Sequence, residues 1–427
     1  MFSATCANKL KEKKTLNRIL AFVTKRILIL SLAILLAMQF SFLRVTVNAT
    51  TWNRPVYIRA NGSIDPSTAD ITTQDNITYR LTANIDFQNS SGIVIERDNI
   101  TIDGYGYTVR RVDAYPTVST YGINASYRQN LEIKNMTVRD FCWTGYGMWI
   151  YNSTNVSIHD CKILHNYMGI EAGPNCSRIR IFKNEFNEAN QVALEVSYSN
   201  NMYVYKNQIL NTAVESVYVS ECHNAVIAYN NINGSQAQTG ISLYSGDTLI
   251  LLNQIVSANG GIWYSSSGAN NTIARNNFVV GSCAFDAPPS PNNWYFNNNF
   301  TKPPAYLGGA IYDPLNNSYP SCGNYWMTYN GTDTDSDGIG NQPYVFCPEL
   351  TDYLPFMYPF NLTMDVNHDG IVNMRDIALV IAASGSQPGD AKWNWWADVN
   401  GDAMIDQADI DIVVACFNNR FYAHPKP

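Results

Sequence analysis

Basic residues are scarce in this chain and histidines scarcer: 28 Lys and Arg and five His stand among 427 residues, and only 15% of positions are charged. Beyond the first thirty residues the Lys and Arg never cluster, and the formal net charge is -7, so the footprint of a nucleic-acid binder is missing. The five histidines, His159, His165, His223, His368 and His424, make no group with Cys or Met that would hold copper. Long helical periods are absent too, which excludes an all-α protein. The one long apolar run, Ile27 to Phe42, is short for a membrane span; it follows a basic stretch from Lys9 to Arg26 and precedes the small residues Val47-Asn48-Ala49. That order predicts a signal peptide over 1–49 and a mature chain from about Thr50, exported to the cell surface or beyond. The alternative is an uncleaved leader that anchors the protein in a membrane.

What remains is rich in Asn, Ser, Thr, Gly and Tyr, a composition for short strands and tight turns. Fifteen Asn-x-Ser/Thr sequons follow Ala49, among them Asn61, Asn99, Asn152, Asn175, Asn233 and Asn330. They suit a glycosylated surface protein, although an Asn-rich and Thr-rich chain also makes sequons by chance. Eight cysteines follow the expected cut. Cys322 and Cys347 bracket one segment and are the candidate disulfide pair. Cys142, Cys161, Cys176, Cys222 and Cys283 sit among strand residues and read as small buried fillers.

Apolar residues recur at Ile102, Ile133, Ile158, Ile181, Val204, Ile227, Ile250, Ile273 and Phe296, at intervals of 31, 25 and then 23 six times. Three residues beyond the later ones stand Asn184, Asn207, Asn230, Asn253, Asn276 and Asn299.

 A period near 23 residues is too short for a pair of helices and fits one coil of three short strands, and stacked coils satisfy every strand edge but the terminal two. The pattern predicts a mainly β protein, a right-handed parallel β-helix of about eight or nine coils, with the asparagines bonded in a buried ladder. A second strand reads Gly-apolar-x-apolar, as in Gly147-Met148, Gly169-Ile170, Gly240-Ile241 and Gly261-Ile262, with glycine opening the turn. Alternation then turns Asn124, Trp149, Glu171, Glu195, Tyr218, Ser242 and Trp263 outward in one column.

The phrases VYIRANGSIDPSTADI, IERDNITIDGYGYTV, GNYWMTYNGTDTDSDGIGNQPYVF and TDYLPFMYP give residues 55 to 358 a further character. This region resembles the NosD-like family of right-handed β-helix proteins, linked to carbohydrate-binding and sugar-hydrolase β-helices. The resemblance implies a fold with many uses, and function does not follow from it alone.

Within the outward column Glu171 and Glu195 fall on adjacent coils, about 4.8 Å apart by strand spacing. That is near the separation of about 5–5.5 Å at which two carboxylates serve a retaining glycosidase. Trp149, Tyr218 and Trp263 offer faces on which sugars could stack. The pair could equally hold a cation or be solvated. A second cluster, Glu132, Lys134 and His159 with Arg180, could abstract a proton as in a lyase. Neither the paired-aspartate signatures of polygalacturonases nor the arginine motifs of pectate lyases are present, so a binder and an enzyme both stay open.

Two kinds of loop point to Ca²⁺. Asp333, Asp335, Asp337 and Asn341 alternate around Gly338 and Gly340, oxygen donors for a structural cation closing the β-helix, with Asp352 as a candidate distal acid. Near the end, Asp365, Asn367, Asp369, Ile371 by its carbonyl, Asn373 and Asp376 occupy positions 1, 3, 5, 7, 9 and 12 of a twelve-residue loop. Asp398, Asn400, Asp402, Met404 by its carbonyl, Asp406 and Asp409 repeat it thirty-three residues later. Each loop runs into an apolar helix, Ile377 to Ala383 and Ile410 to Phe417. Position 6 is Gly370 in the first loop and Ala403 in the second, where a positive φ is strained, so the second loop is expected to bind Ca²⁺ more weakly.

Two such loop-helix units are similar to the dockerin module, in which an acid other than Glu at position 12 is usual. The resemblance implies a cohesin-type protein partner, met through the helix positions that here are Met374-Arg375 and Gln407-Ala408. The Trp393, Trp395 and Trp396 cluster between the loops reads as packing rather than sugar binding. The expected organisation is a leader over 1–49, a β-helix over 50–360 with its loop at 333–341, and a dockerin-like domain over 361–427. The expected function is carbohydrate recognition at the cell surface, attached to a larger assembly through that domain. Two alternatives stand beside it: a polysaccharide hydrolase or lyase docked the same way, and a structural component of the cell envelope.

Overall fold

A coil of this length cannot bury its own apolar side chains, so coils must stack. In the computed structural model they do. The structure describes residues 49–418 apart from 114–118, 143, 235–238, 258, 265–267, 282, 287–291, 302–305, 309–314, 316–322, 336–337, 348–349, 361–363 and 368–370. The expected leader and the Cys322–Cys347 pairing fall outside the described residues.

Among the described residues successive coils each give one strand to three long sheets of twelve, twelve and eleven strands. Sheet 1 contains Lys162–Leu164 and Glu185–Asn187; sheet 2 contains Met168–Ala172 and Val192–Ser197; sheet 3 contains Ser177–Phe182 and Asn200–Tyr205. The regular solenoid makes about nine turns. At its first end Ile64–Asp65 and Ile71–Thr73 pair antiparallel with their neighbours and cover strand edges that would otherwise stay open.

The apolar series of sheet 3 lies in register and buried from Ile102 to Ile273. Its last member is Tyr295, paired with Ile273 and turned inward, and not Phe296, which pairs with Ala274 on the outer side. The coil after Asn276 is one residue shorter, so the ladder passes from Asn276 to Asn298, 22 residues on, instead of to Asn299. Each ladder asparagine accepts the backbone N–H of the one before it, at 2.9–3.0 Å from Asn184 to Asn324, and gives an amide proton to a carbonyl of the coil beneath. Asp352 ends the series. It is buried, and it accepts from Asn324 N, Trp326 Nε1 and Leu354 N. That place in the core replaces its expected role as a distal acid of the 333–341 loop.

Three of the cysteines, Cys161, Cys176 and Cys222, are buried fillers as expected. Cys142 is not: it is half-buried and bonded to the His165 carbonyl. The glycines at 147, 169, 240 and 261 serve close packing, since a Cβ at Gly261 would stand 2.5 Å from the Ala284 carbonyl oxygen of the next coil. None of these four has a positive φ, so they do not open a turn in the way expected.

Among the described residues the C-terminal module has two helices, α1 (Met374–Ala383) and α2 (Gln407–Ala415), around a core that includes Val372, Val380, Val399, Ile405 and Val413. Both begin three residues before the expected starts because Asn373 and Asp406 cap them, with Asp376 and Asp409 closing capping boxes. The module rests on sheet 3, where Trp395 and Trp396 meet Tyr205, Tyr229 and Phe296.

Replacing Asn230 by Ala strands the Asn207 N–H and the Val204 carbonyl inside the solenoid. The expected cost is about 2–5 kcal/mol. Asn231→Ala, at an exposed side chain, is expected to stay within about 0.5 kcal/mol. Urea unfolding of the two variants against the parent checks the difference; equal losses would contradict the ladder's role.

Candidate functional site

Sheet 2 departs from strict alternation, and that departure shapes its outer surface. In Glu215–Ser220 the side chains of Ser216 and Val217 are both buried, so Glu215 and Tyr218 both face out. Tyr146–Ile150 does the same, with Gly147 and Met148 inside and Tyr146 and Trp149 outside. Each coil therefore shows two outer positions in place of one. The first column runs Tyr121, Tyr146, Met168, Val192, Glu215 and Thr239. The second runs Asn124, Trp149, Glu171, Glu195, Tyr218, Ser242 and Trp263, in register throughout.

Together the columns set three carboxylates between two aromatic groups. Tyr121, Tyr146 and Trp149 cluster at one end with centroids 4.6–5.6 Å apart. At the other end Tyr244 lies 5.1 Å from Tyr218 and 4.8 Å from Trp263. Five rungs separate Trp149 from Trp263, about 24 Å at about 4.8 Å per rung. A groove of about 490 Å³ opens beside Trp149, lined also by Asn124, Tyr127 and Tyr151.

The sequence reading placed Glu171 and Glu195 here and missed Glu215, because period-2 alternation from Val217 points it inward. The doubled inward pair was legible in principle, since small residues (Gly147, Gly169, Ala193, Ser216, Gly240, Gly261) recur just before the large apolar one. Burial, then the charge of Glu195, pushes the Glu171 carboxyl up to about 7. Burial, then Glu215, raises Glu195; burial raises Glu215, whose Oε1 accepts from Ser242 Oγ at 2.9 Å. Such a stripe holds one carboxyl protonated near neutrality beside others, the arrangement needed for donating a proton and accepting one.

The second cluster is also brought together. Glu132 accepts from Thr101, Lys134 and His159, with His159 Nε2 at 2.9 Å and Lys134 Nζ at 3.0 Å. Burial opposes ionisation of Glu132, and those hydrogen bonds outweigh it and hold the carboxyl below its usual range. Arg180 is bonded to Ser157 and lines the same groove of about 520 Å³, as does Gln387 of the module. Glu132 is already occupied by donors, which makes it a poor base.

In the second module loop Asp398 and Asp409 are buried, and Gly401 and Ala403 turn the chain with φ of 70° and 62°. Ala403 bears the expected strain, of about 1–2 kcal/mol. Burial, and then after a countering bond from the Ala403 N–H the charges of Asp409 and Asp402, bring the Asp398 carboxyl up to about 6. Crowded carboxylates with an all-oxygen donor set fit a hard dication, which would relieve their repulsion. Among the described residues no three His, Cys, Asp or Glu converge by themselves, so a bound cation would draw on Asn400 and the Met404 carbonyl as well. Asp369 of the first loop lies outside the described residues; Asp365 and Asp376 are buried. In the 333–341 loop Asp333 accepts from Gly338 N and Asp335 from Asn341 Nδ2, while Asp337 is outside the described residues. Met374, Arg375, Gln407 and Ala408 are exposed on the first turns of α1 and α2.

Residues 121–278 match the family model for a right handed beta helix region, and residues 363–418 that for a dockerin type I domain. These matches do not single out the NosD-like branch. No curated protein matches the chain. Similar solved structures include the periplasmic alginate epimerase AlgG, at 16% identity over 51% of this chain and 68% of that one, TM-score 0.35. The A-module of the Azotobacter vinelandii mannuronan C-5 epimerase AlgE6 is 13% identical over 67% and 92%, TM-score 0.40. The Dettilon tailspike protein is 15% identical over 58% and 61%, TM-score 0.38. Likeness at this level carries no argument about activity.

The Glu171 carboxyl is raised from about 4.5 to about 7 on folding, so the stability tied to it is full below about 4.5 and lost as pH rises through about 7. At saturating Ca²⁺, urea stability is expected to fall less between those limits in Glu171→Gln than in the parent. Parallel pH profiles would contradict the burial of this group.

Proposed function

We propose that this is an exported carbohydrate-acting protein whose sheet 2 stripe binds a glycan chain and whose C-terminal module attaches it, with Ca²⁺, to a cohesin-type partner in a larger assembly. The observation that carries the reading is the pair of aromatic groups bracketing Glu171, Glu195 and Glu215 along the solenoid axis. Aromatic faces take the apolar faces of sugar rings, and half-buried carboxyls take their hydroxyls. Among the residues of the two columns from Tyr121 to Trp263 none is Lys or Arg. Arg128, which lines the groove beside Trp149, is paired with Asp98 and leaves a polyuronate no free counter-charge along the stripe, so the stripe suits uncharged or amino-bearing sugars.

Glu171 supports a second reading, hydrolysis of an O-glycosyl bond. A carboxyl at about 7 beside a second one on the next rung has the acid and the base or nucleophile that this chemistry needs. In the module, Ca²⁺ would be held by the oxygens of the two loops and would supply the cross-link that fixes their turns. Met374, Arg375, Gln407 and Ala408 would meet the partner, and the unlike pairs make the two halves unequal.

Incubation of the intact protein with neutral, amino-bearing and uronate polysaccharides tests both readings. Binding to one of the first two, weakened about ten-fold by Trp149→Ala, is expected. Release of reducing ends that Glu171→Gln or Glu195→Gln abolishes would establish the hydrolase; preference for polyuronates would overturn the charge argument.

A further inference from the structure

The outer column of sheet 3 changes character along the solenoid. It reads Lys134, His159 and Phe182 in the earlier coils and Tyr205, Ala228, Leu251, Ala274 and Phe296 in the later ones, in register throughout. These later side chains point away from the solenoid core, yet they are buried, because Trp395, Trp396 and Ala403 of the module cover them.

Contacts at this interface converge on the second loop. Tyr229 Oη donates to the carbonyl of Asp398, the loop's first position, at 3.3 Å. Gly401 lies so close to the Tyr229 ring that a Cβ there would stand 3.3 Å from it, and Gly389 rests similarly on Arg180 and Tyr203. Arg275, buried, stacks 4.4 Å over Trp396 and 5.4 Å over Phe360. Ala403 stands where a loop of this type has glycine, and its methyl is buried in the interface. A departure that strains the loop thus gains a contact with the solenoid.

We infer that the second loop and the Trp393–Trp396 segment form a latch whose partner is the chain's own sheet 3, and that Ca²⁺ in this loop and closure of the latch stabilise each other. The inference rests on the proposed Ca²⁺ binding. A filled loop holds Asp398, Gly401 and Ala403 in the shape that sheet 3 accepts, and by linkage sheet 3 holds the loop in the shape that accepts the ion. With the latch closed, the exposed first turns of α1 and α2 keep a fixed direction relative to the sheet 2 stripe, and the module is an oriented mount in place of a flexible tether.

Leu251→Asp tests this from the solenoid side, at an outward position whose change leaves the inner core intact. Calcium titration calorimetry and small-angle scattering of the intact protein are the readouts, with far-UV circular dichroism as the folding control. The expected result is a larger maximum dimension and a loss of about five-fold or more in the affinity of one calcium step. Removal of calcium from the parent is expected to enlarge it likewise. An unchanged calcium isotherm, or unchanged scattering, in a folded Leu251→Asp protein would overturn the latch. Absence of calcium uptake by the parent would instead overturn the calcium reading itself. Should Leu251→Asp not fold, Trp396→Ala carries the same test from the module side.

Discussion

The structure depends on one repeated bond: a buried asparagine that accepts the N–H of its counterpart one coil away. A coil of this length must turn three corners, and at each the backbone leaves the sheet ladder. On one of those corners the asparagine supplies the lost partners from within, so the interior can be dry without orphaned polar groups. The geometry works only if successive coils superimpose residue on residue. That is why the register of all three sheets holds over so many turns, and why a single missing residue in the coil after Asn276 moves the ladder to Asn298 and not the pairing out of place.

Register fixed in this way turns a sequence period into a surface. Residues far apart in the chain stand one rung apart, so three carboxylates and two aromatic groups become a continuous stripe without any loop to position them. Their spacing is that of the β-ladder itself. Half-burial among neighbouring strands then makes ionisation of each carboxylate harder, and Glu171, with burial and Glu195 against it, is raised to about 7.

Much of this was legible in the sequence because the solenoid repeats: the inward isoleucines, the ladder from Asn184 to Asn276, and the column from Trp149 to Trp263 follow from counting. The misses have physical causes. Glu215 escaped because the bend in each sheet 2 strand turns two consecutive side chains inward and resets the alternation. Asp352 looked like a loop ligand by its spacing and proved to be the buried acceptor at the ladder's end. The covering of sheet 3 was foreshadowed by outward residues turning apolar at Ala228, Leu251, Ala274 and Phe296, a signal that counting inward positions overlooks. Ala403 was read as a defect of a loop; its methyl has a place against the solenoid.

The central claim is that a glycan lies along sheet 2 between the two aromatic groups. A crystal structure of the intact protein with an uncharged or amino-bearing oligosaccharide tests it most directly. Sugar rings stacked on Trp149 or Trp263, with hydroxyls on Glu171, Glu195 or Glu215, is the predicted result. Sugar density in the groove of Glu132, His159 and Arg180, with the sheet 2 stripe bare, would contradict it.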